Sequence, residues 1–178
     1  MSTAVAGWVI SVVFTAMLLA AAWSDYRHRR IPNALTMSAL ALALGLRALL
    51  GWGLFIDGVV GALLALVLGL PFLMLGVMGG GDAKLLFAIG GFMGPRDFLS
   101  AGILIVIIGG LMGVIDAGRR QALLPVLFNC GQILKHWGTF GRRGANRSFA
   151  SVGALTIPYG IAIAAGALLW WFVAMQTL

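Results

Sequence analysis

A polar interruption separates two apolar stretches near the middle of the chain, and it reads Gly76-Val-Met-Gly-Gly-Gly-Asp-Ala-Lys-Leu-Leu86. Three consecutive glycines lead into Asp82 and Lys84. The whole chain has only five acidic residues, all of them Asp. A carboxylate flanked by membrane-length apolar segments is energetically costly, and such residues are usually functional. Asp25 is the candidate for a second carboxylate that lies close to Asp82.

Composition places the chain among membrane proteins. It has 178 residues, of which 61% are hydrophobic and 10% charged, and its mean hydropathy is +1.04. A soluble domain carries about 25% charged residues. These values predict an all-α, polytopic membrane protein that forms a single domain over residues 1–178.

Charge and cysteine content exclude several other classes. The net charge is +7, but the basic residues lie between hydrophobic segments, which is typical of membrane topology rather than nucleic-acid binding. Cys130 is the only cysteine, and His28 and His136 lie in basic loops. We therefore predict no intrachain disulfide, no metal site and no cofactor.

Apolar runs and breaks predict six transmembrane helices. A helix needs about 20 residues to cross the hydrocarbon core. The predicted spans are residues 4–23, 34–50, 57–78, 83–94, 98–116 and 152–174. Asn33 is the predicted N-cap of the second helix, Pro71 predicts a kink in the third, and residues 117–150 form one long basic loop.

The distribution of basic residues predicts the orientation. Ten Lys and Arg residues fall on the side of the long loop, whereas Arg47 and Arg96 fall on the other. Because basic residues are enriched in cytoplasmic loops, both termini are predicted outside and residues 24–33 and 117–150 inside. The basic loop is expected to bind anionic lipid headgroups. No basic residue precedes the first apolar run, so we expect no cleavable signal peptide.

This topology places Asp25 and Asp82 at the same, cytoplasmic membrane boundary. Asp57 and Asp97 fall at the outer ends and are expected to be solvated. Two neighbouring carboxyl groups can share one proton, because both cannot ionise cheaply. The ionised group can then take a proton from water, while the protonated group donates to a peptide carbonyl oxygen.

Helix positions indicate how the proton would be divided. Asp25 ends a helix, where the dipole disfavours negative charge, and Asp82 begins one, where the dipole favours it. We therefore expect Asp82 to ionise more readily and Asp25 to carry the proton. Gly79, Gly80 and Gly81 would let a substrate strand approach. Lys84 could lower the pKa of Asp82 or hold a substrate carbonyl.

Two segments together resemble a known family. Asp25-Tyr-Arg-His-Arg-Arg-Ile-Pro-Asn-Ala-Leu-Thr36 and Gly79-Gly-Gly-Asp-Ala-Lys-Leu-Leu86 are similar to motifs of the type IV prepilin peptidases, which are aspartic proteases of the GxGD class with six transmembrane helices. The resemblance implies a multi-pass protein of the bacterial inner membrane that cleaves prepilin leader peptides on the cytoplasmic side. Asp25 and Asp82 would be the catalytic pair. The implied supporting residues include Pro32, Asn33, Pro158 and Tyr159.

One departure from the larger family members concerns a second activity. Those members carry an extra cytoplasmic domain with paired cysteines, and they also methylate the new N-terminus of the product. Residues 24–33 leave no room for this domain, and one cysteine cannot supply its zinc site. The chain resembles the short branch associated with tight-adherence (Flp-type) pili, so we expect a peptidase without methyltransferase activity.

Two other functions fit part of the pattern. The aspartates could form the coupling site of a small ion or solute transporter, although transporter acids usually lie near the membrane midplane. The chain could also be a non-catalytic subunit of a pilus or secretion assembly. The sequence leaves open which pilin is cleaved and how many copies of the chain associate.

Overall fold

The computed structural model describes residues 3–74, 78–119 and 159–176. Within these ranges the regular structure is entirely α-helical. The helices are α1 (Thr3–His28), α2 (Asn33–Leu50), α3 (Trp52–Met74), α4 (Gly80–Met93), α5 (Pro95–Arg119) and α6 (Tyr159–Gln176).

Five of these helices are long and apolar enough to cross a membrane, namely all except α4. The chain is therefore a multi-pass membrane protein. Helix α4 has 14 residues, which corresponds to about 21 Å of helix, against a hydrocarbon core of about 30 Å. The fourth predicted span, residues 83–94, stays a prediction, and so does the count of six spans.

The chain divides into two compact units, Met1–Gly109 with Pro158–Leu178, and Gly110–Ile157. All of the second unit after Arg119 lies outside the described residues. The predicted basic loop, residues 117–150, therefore lies almost wholly outside the described residues. Pro158 also lies outside them. A single domain over 1–178 and lipid binding by the loop stay predictions.

Helix α4 is the central element of the first unit. It contacts α1, α2, α3 and α6, and nine of its residues are buried. Because its neighbours surround it, α4 does not have to match the thickness of a bilayer, and its ends can lie beside other protein groups. The polar segment that opens α4 is thereby held next to the end of α1.

Helices α3 and α4 approach each other closely at two glycines. A methyl group added to Gly61 would overlap the carbonyl oxygen of Gly90, and one added to Gly90 would overlap that of Gly61. Small residues at a helix crossing allow such backbone contact in membrane proteins. This pair of glycines allows the backbones of α3 and α4 to touch.

The start of α2 differs by one residue from the prediction. Pro32 is the N-cap, with extended backbone angles of φ −63° and ψ 133°, and Asn33 is the first helical residue. The side chain of Asn33 does not cap α2, because its Oδ1 accepts a hydrogen bond of 2.8 Å from Lys84 Nζ. A contact with another helix thus replaces the local cap.

Candidate active site

The end of α1 and the start of α4 enclose one cavity of about 280 Å³. Both predicted catalytic aspartates line it, together with the three predicted glycines and three residues from the α1–α2 connection. The lining residues are Asp25, Arg29, Arg30, Ile31, Gly79, Gly80, Gly81 and Asp82. The structure therefore brings together two aspartates that are more than fifty positions apart in sequence.

Asp25 lies in the last turn of α1 and is only 7% exposed. Its Oδ2 accepts a hydrogen bond of 2.8 Å from the backbone N–H of Gly160. Gly160 is the second residue of α6, so the free N–H groups and the positive dipole end of that helix face the carboxylate. The hydrogen bond and the helix dipole partly offset the cost of burying the Asp25 carboxylate.

Gly160 is a site residue that sequence reasoning missed. The available signal was its place in the Pro158-Tyr159-Gly160 segment, which drew attention to its two neighbours instead. A methyl group at Gly160 would lie 2.8 Å from Oδ2 and 3.0 Å from Cβ of Asp25. Glycine is therefore required here by close approach of the carboxylate.

The turn after α1 sets the position of Asp25. Arg29 adopts a left-handed conformation with φ 51°, and its N–H donates a 2.8 Å hydrogen bond to the carbonyl oxygen of Asp25. A left-handed residue directly after a helix is a common way of ending it. The hydroxyl of Ser24 also donates a 2.7 Å hydrogen bond to the carbonyl oxygen of Arg30. These bonds hold Arg29, Arg30 and Ile31 at the cavity wall, which the sequence did not indicate.

Asp82 lies in the first turn of α4, outside the five candidate spans. Its Oδ2 accepts a 3.2 Å hydrogen bond from the N–H of Gly79, the N-cap residue. Burial and the negative charge of Asp25 raise the pKa of Asp82 to about 6, against the opposing effect of the Gly79 N–H. Asp82 is therefore the group that tends to keep a proton.

The raised pKa of Asp82 departs from the prediction that this aspartate ionises more readily than Asp25. The prediction considered only the helix to which each aspartate belongs. In the structure, burial and the neighbouring charge of Asp25 act on Asp82 as well. A third helix, α6, also faces Asp25 through the N–H of Gly160.

The three glycines differ in their surroundings. A methyl group at Gly81 would lie 3.2 Å from Cβ of Ile31, so this glycine lets the α1–α2 connection pack against α4. A methyl group at Gly80 would meet nothing within 4 Å. Gly81 therefore serves packing, whereas Gly80 borders open space in the cavity.

The remaining predicted support residues within the described ranges lie around the cavity rather than in its wall. Lys84 is exposed, and its bond to Asn33 ties the start of α4 to the start of α2. Pro32 is the N-cap of α2. Tyr159, the first residue of α6, packs against the buried core. Whether Lys84 also holds a substrate carbonyl stays a prediction.

Asp57 and Asp97, which were expected to be solvated, both have protein partners. Asp57 forms an ion pair of 3.0 Å with Arg47, and its side chain remains 47% exposed. Asp97 accepts a hydrogen bond of 3.3 Å from Nε1 of Trp170. The expectation therefore holds in part for Asp57, and both carboxylates also accept protein donors.

Comparison with known families identifies the family to which the chain belongs. The profile of the type IV leader peptidase family matches residues 12–115, more than half of the chain and including both aspartates of the cavity. The chain belongs to the type IV leader peptidase family. As a member of this family, the chain is a peptidase, and its substrate class is the prepilins. Searches of curated proteins and of solved structures gave no significant match.

Among the residues that the structure describes, no group of three or more His, Cys, Asp or Glu side chains could hold a metal ion. The polar groups at the cavity include two carboxyl groups and the backbone N–H groups of Gly79 and Gly160 that they accept.

Proposed function

We propose that this leader peptidase cleaves the leaders of Flp-type prepilins at the cytoplasmic membrane face, with Asp25 and Asp82 as an acid–base pair that activates water. One observation carries the proposal: both carboxyl groups line a single cavity, and each accepts a backbone N–H. Buried carboxyl pairs with unequal proton affinity are suited to general acid–base catalysis.

The surroundings of the two groups support the following roles. Ionised Asp25 takes a proton from the attacking water, whose oxygen bonds to the scissile carbonyl carbon. Protonated Asp82 donates its proton to the carbonyl oxygen. Asp25 then passes its proton to the leaving amide nitrogen as the C–N bond breaks, and the carbonyl re-forms as its oxygen returns a proton to Asp82. The pair ends with one proton, as it began.

Access for an extended peptide is supported by the glycine wall. Gly79, Gly80 and Gly81 present backbone rather than side chains to the cavity, and space is open beside Gly80. An extended segment can donate to and accept from exposed backbone groups, as in strand addition. The cavity therefore suits a substrate that unwinds at its scissile bond.

The orientation and the absence of a methyltransferase are also part of the proposal. The ten-to-two distribution of basic residues supports a cytoplasmic site, with both termini outside and the basic loop near anionic lipids. Helix α1 ends at His28 and α2 begins at Asn33. Four connecting residues cannot hold an inserted methyltransferase domain.

The proposal is tested by co-expression with a candidate Flp-type prepilin, followed by gel analysis of leader removal. We expect Asp25→Asn and Asp82→Asn to abolish processing, since either change removes one member of the pair. Asp97→Asn is the matched control, because it removes the same charge away from the cavity. Full processing by both cavity variants would refute the proposal. Mass spectrometry of the product should show an unmethylated N-terminus.

A further inference from the structure

A largely buried arginine binds the carboxyl-terminal end of α4, the end away from Asp82. The side chain of Arg47 is 12% exposed, although the sequence indicated only a basic residue on the outer side. Its guanidinium group reaches from the end of α2 to the end of α4. There it donates two hydrogen bonds to the carbonyl oxygen of Phe92, from Nη2 at 2.7 Å and from Nε at 3.2 Å.

The same guanidinium group also binds α3. Its Nη1 donates to the carbonyl oxygen of Leu54 at 3.1 Å and to Oδ2 of Asp57 at 3.0 Å. One planar side chain thus joins three helices through four hydrogen bonds, one more than the three N–H donors of a lysine could make. We call Arg47, Asp57 and Phe92 the Arg47 clamp.

Two glycines make room for the clamp. A methyl group at Gly58 would lie 2.8 Å from Cδ of Arg47. A methyl group at Gly94 would overlap the Asp57 carboxylate, and Gly94 has a φ of +79° that favours glycine. The close fit on both sides shows that Arg47 occupies a defined place between the helices, unlike an arginine that extends to lipid headgroups.

The bonds to Phe92 satisfy a specific need of α4. The last carbonyl groups of a helix lack partners within the helix, and Phe92 is buried. Without a donor, this carbonyl would be left unsatisfied in apolar surroundings. A positive charge at the carboxyl end of a helix is also favourable. Arg47 is therefore the hydrogen-bond donor for the Phe92 carbonyl group at the end of α4.

We infer that Arg47 is a positioning residue that fixes the axial placement of α4, and with it the placement of Asp82 against Asp25. This inference rests on the proposed function for its effect on proteolysis. Asp82 and Phe92 are ten residues apart on one helix, or about 15 Å, and a helix transmits an axial shift along its length. A displacement of 1 Å at a catalytic group can reduce a rate about 100-fold.

The test compares purified wild type with Arg47→Met, Arg47→Lys and Asp57→Asn, using a fluorescent prepilin-derived substrate. We expect kcat of Arg47→Met to fall about 10- to 100-fold, with KM changed less than kcat. Arg47→Lys should be intermediate, and it keeps the measurement possible if Arg47→Met does not fold. Asp57→Asn should stay near wild type, because the bonds to Phe92 remain. Arg96→Met, which removes an exposed arginine in the first turn of α5, is the control for lost charge.

A second readout does not depend on proteolysis. Infrared titration of the protonated carboxyl band should give a pKa of Asp82 that falls below about 6 in Arg47→Met and is unchanged in Arg96→Met. Asp82→Asn identifies the band. A melting temperature that drops while kcat and this pKa stay at wild-type values would overturn the inference. An equal loss of kcat in Asp57→Asn and Arg47→Met would also overturn it, because the ion pair alone would then account for the effect.

The two readouts separate the two proposals. If the wild type does not cleave any prepilin, the proposed function fails. The infrared titration then tests the positioning role of Arg47 by itself. A pKa of Asp82 that is shifted in Arg47→Met supports this role, and an unshifted pKa refutes it.

Discussion

The backbone N–H of Gly160 lies 2.8 Å from Oδ2 of Asp25, and it joins the start of α6 to the end of α1. The two residues are 135 positions apart in sequence. Through this contact α6 supplies a fixed hydrogen-bond donor and a favourable dipole end to the carboxylate. The last helix of the chain is thereby part of the candidate active site.

Replacing Gly160 by alanine should reduce prepilin processing about 100-fold. The added methyl group would lie 2.8 Å from Oδ2 of Asp25, so the carboxylate and α6 have to separate. Initial rates of leader cleavage measure this effect. Gly102→Ala is the control, since a methyl group there meets nothing within 4 Å and α5 gains helix propensity. Equal rates for Gly160→Ala and wild type would show that the contact is dispensable.

Replacing Gly61 by alanine should lower stability by about 1–3 kcal/mol, which is typical of overpacking. The methyl group would overlap the carbonyl oxygen of Gly90 and push α4 away from α3. Denaturation in mild detergent, followed by circular dichroism, measures the change. Gly45→Ala should not lose stability, because its surroundings are open. A Gly61→Ala protein as stable as wild type would contradict the backbone contact between α3 and α4.

Stability should fall as the pH rises from about 4 to 6. The pKa of Asp82 is raised from 3.8 to about 6 in the folded protein, so in this window the folded state holds a proton that the unfolded state has lost. Rising pH therefore favours unfolding. Melting temperatures across this range measure the effect, and Asp82→Asn should remove this contribution.

The same titration can separate the two causes of the shift. In Asp25→Asn, the pKa of Asp82 should fall but stay above 3.8, since burial is its largest cause and the charge of Asp25 its second. Infrared spectroscopy of the carboxyl band follows the titration, with Asp97→Asn as the control. An unchanged pKa in Asp25→Asn would mean that the two carboxyl groups do not interact.

Arg29→Gly should be more stable than Arg29→Ala by up to about 1 kcal/mol. Both variants lose the same side chain, but a left-handed conformation, here φ 51°, costs alanine about 1–2 kcal/mol. Part of this advantage is offset by the larger entropy of glycine in the unfolded chain. Thermal denaturation of the two purified variants compares them. A more stable alanine variant would argue against a left-handed residue at the end of α1.

The sequence alone determined the class of protein and the two segments of the site. Apolar runs and breaks predicted the helices described here to within a few residues at most ends, because a helix that crosses a membrane must be long, apolar and internally hydrogen-bonded. Asp25 and Asp82 were paired from charge distribution and motif spacing. The N-cap of α2 was misplaced by one residue, because Asn33 binds Lys84 instead of its own helix.

The tertiary structure decided what each polar group contacts. Gly160 donates to Asp25, and Arg47 donates to Phe92, because separate helices pack together. The hydrophobic pattern of one helix does not encode which neighbouring helix will supply a hydrogen-bond donor. The pKa of Asp82 departs from the prediction for a related reason: burial and the charge of Asp25, which follow from the packing of α1 and α4 together, act on it. Local sequence specified the helices and the carboxylates, whereas the ionisation and placement of those carboxylates depend on partners 45 to 135 residues away.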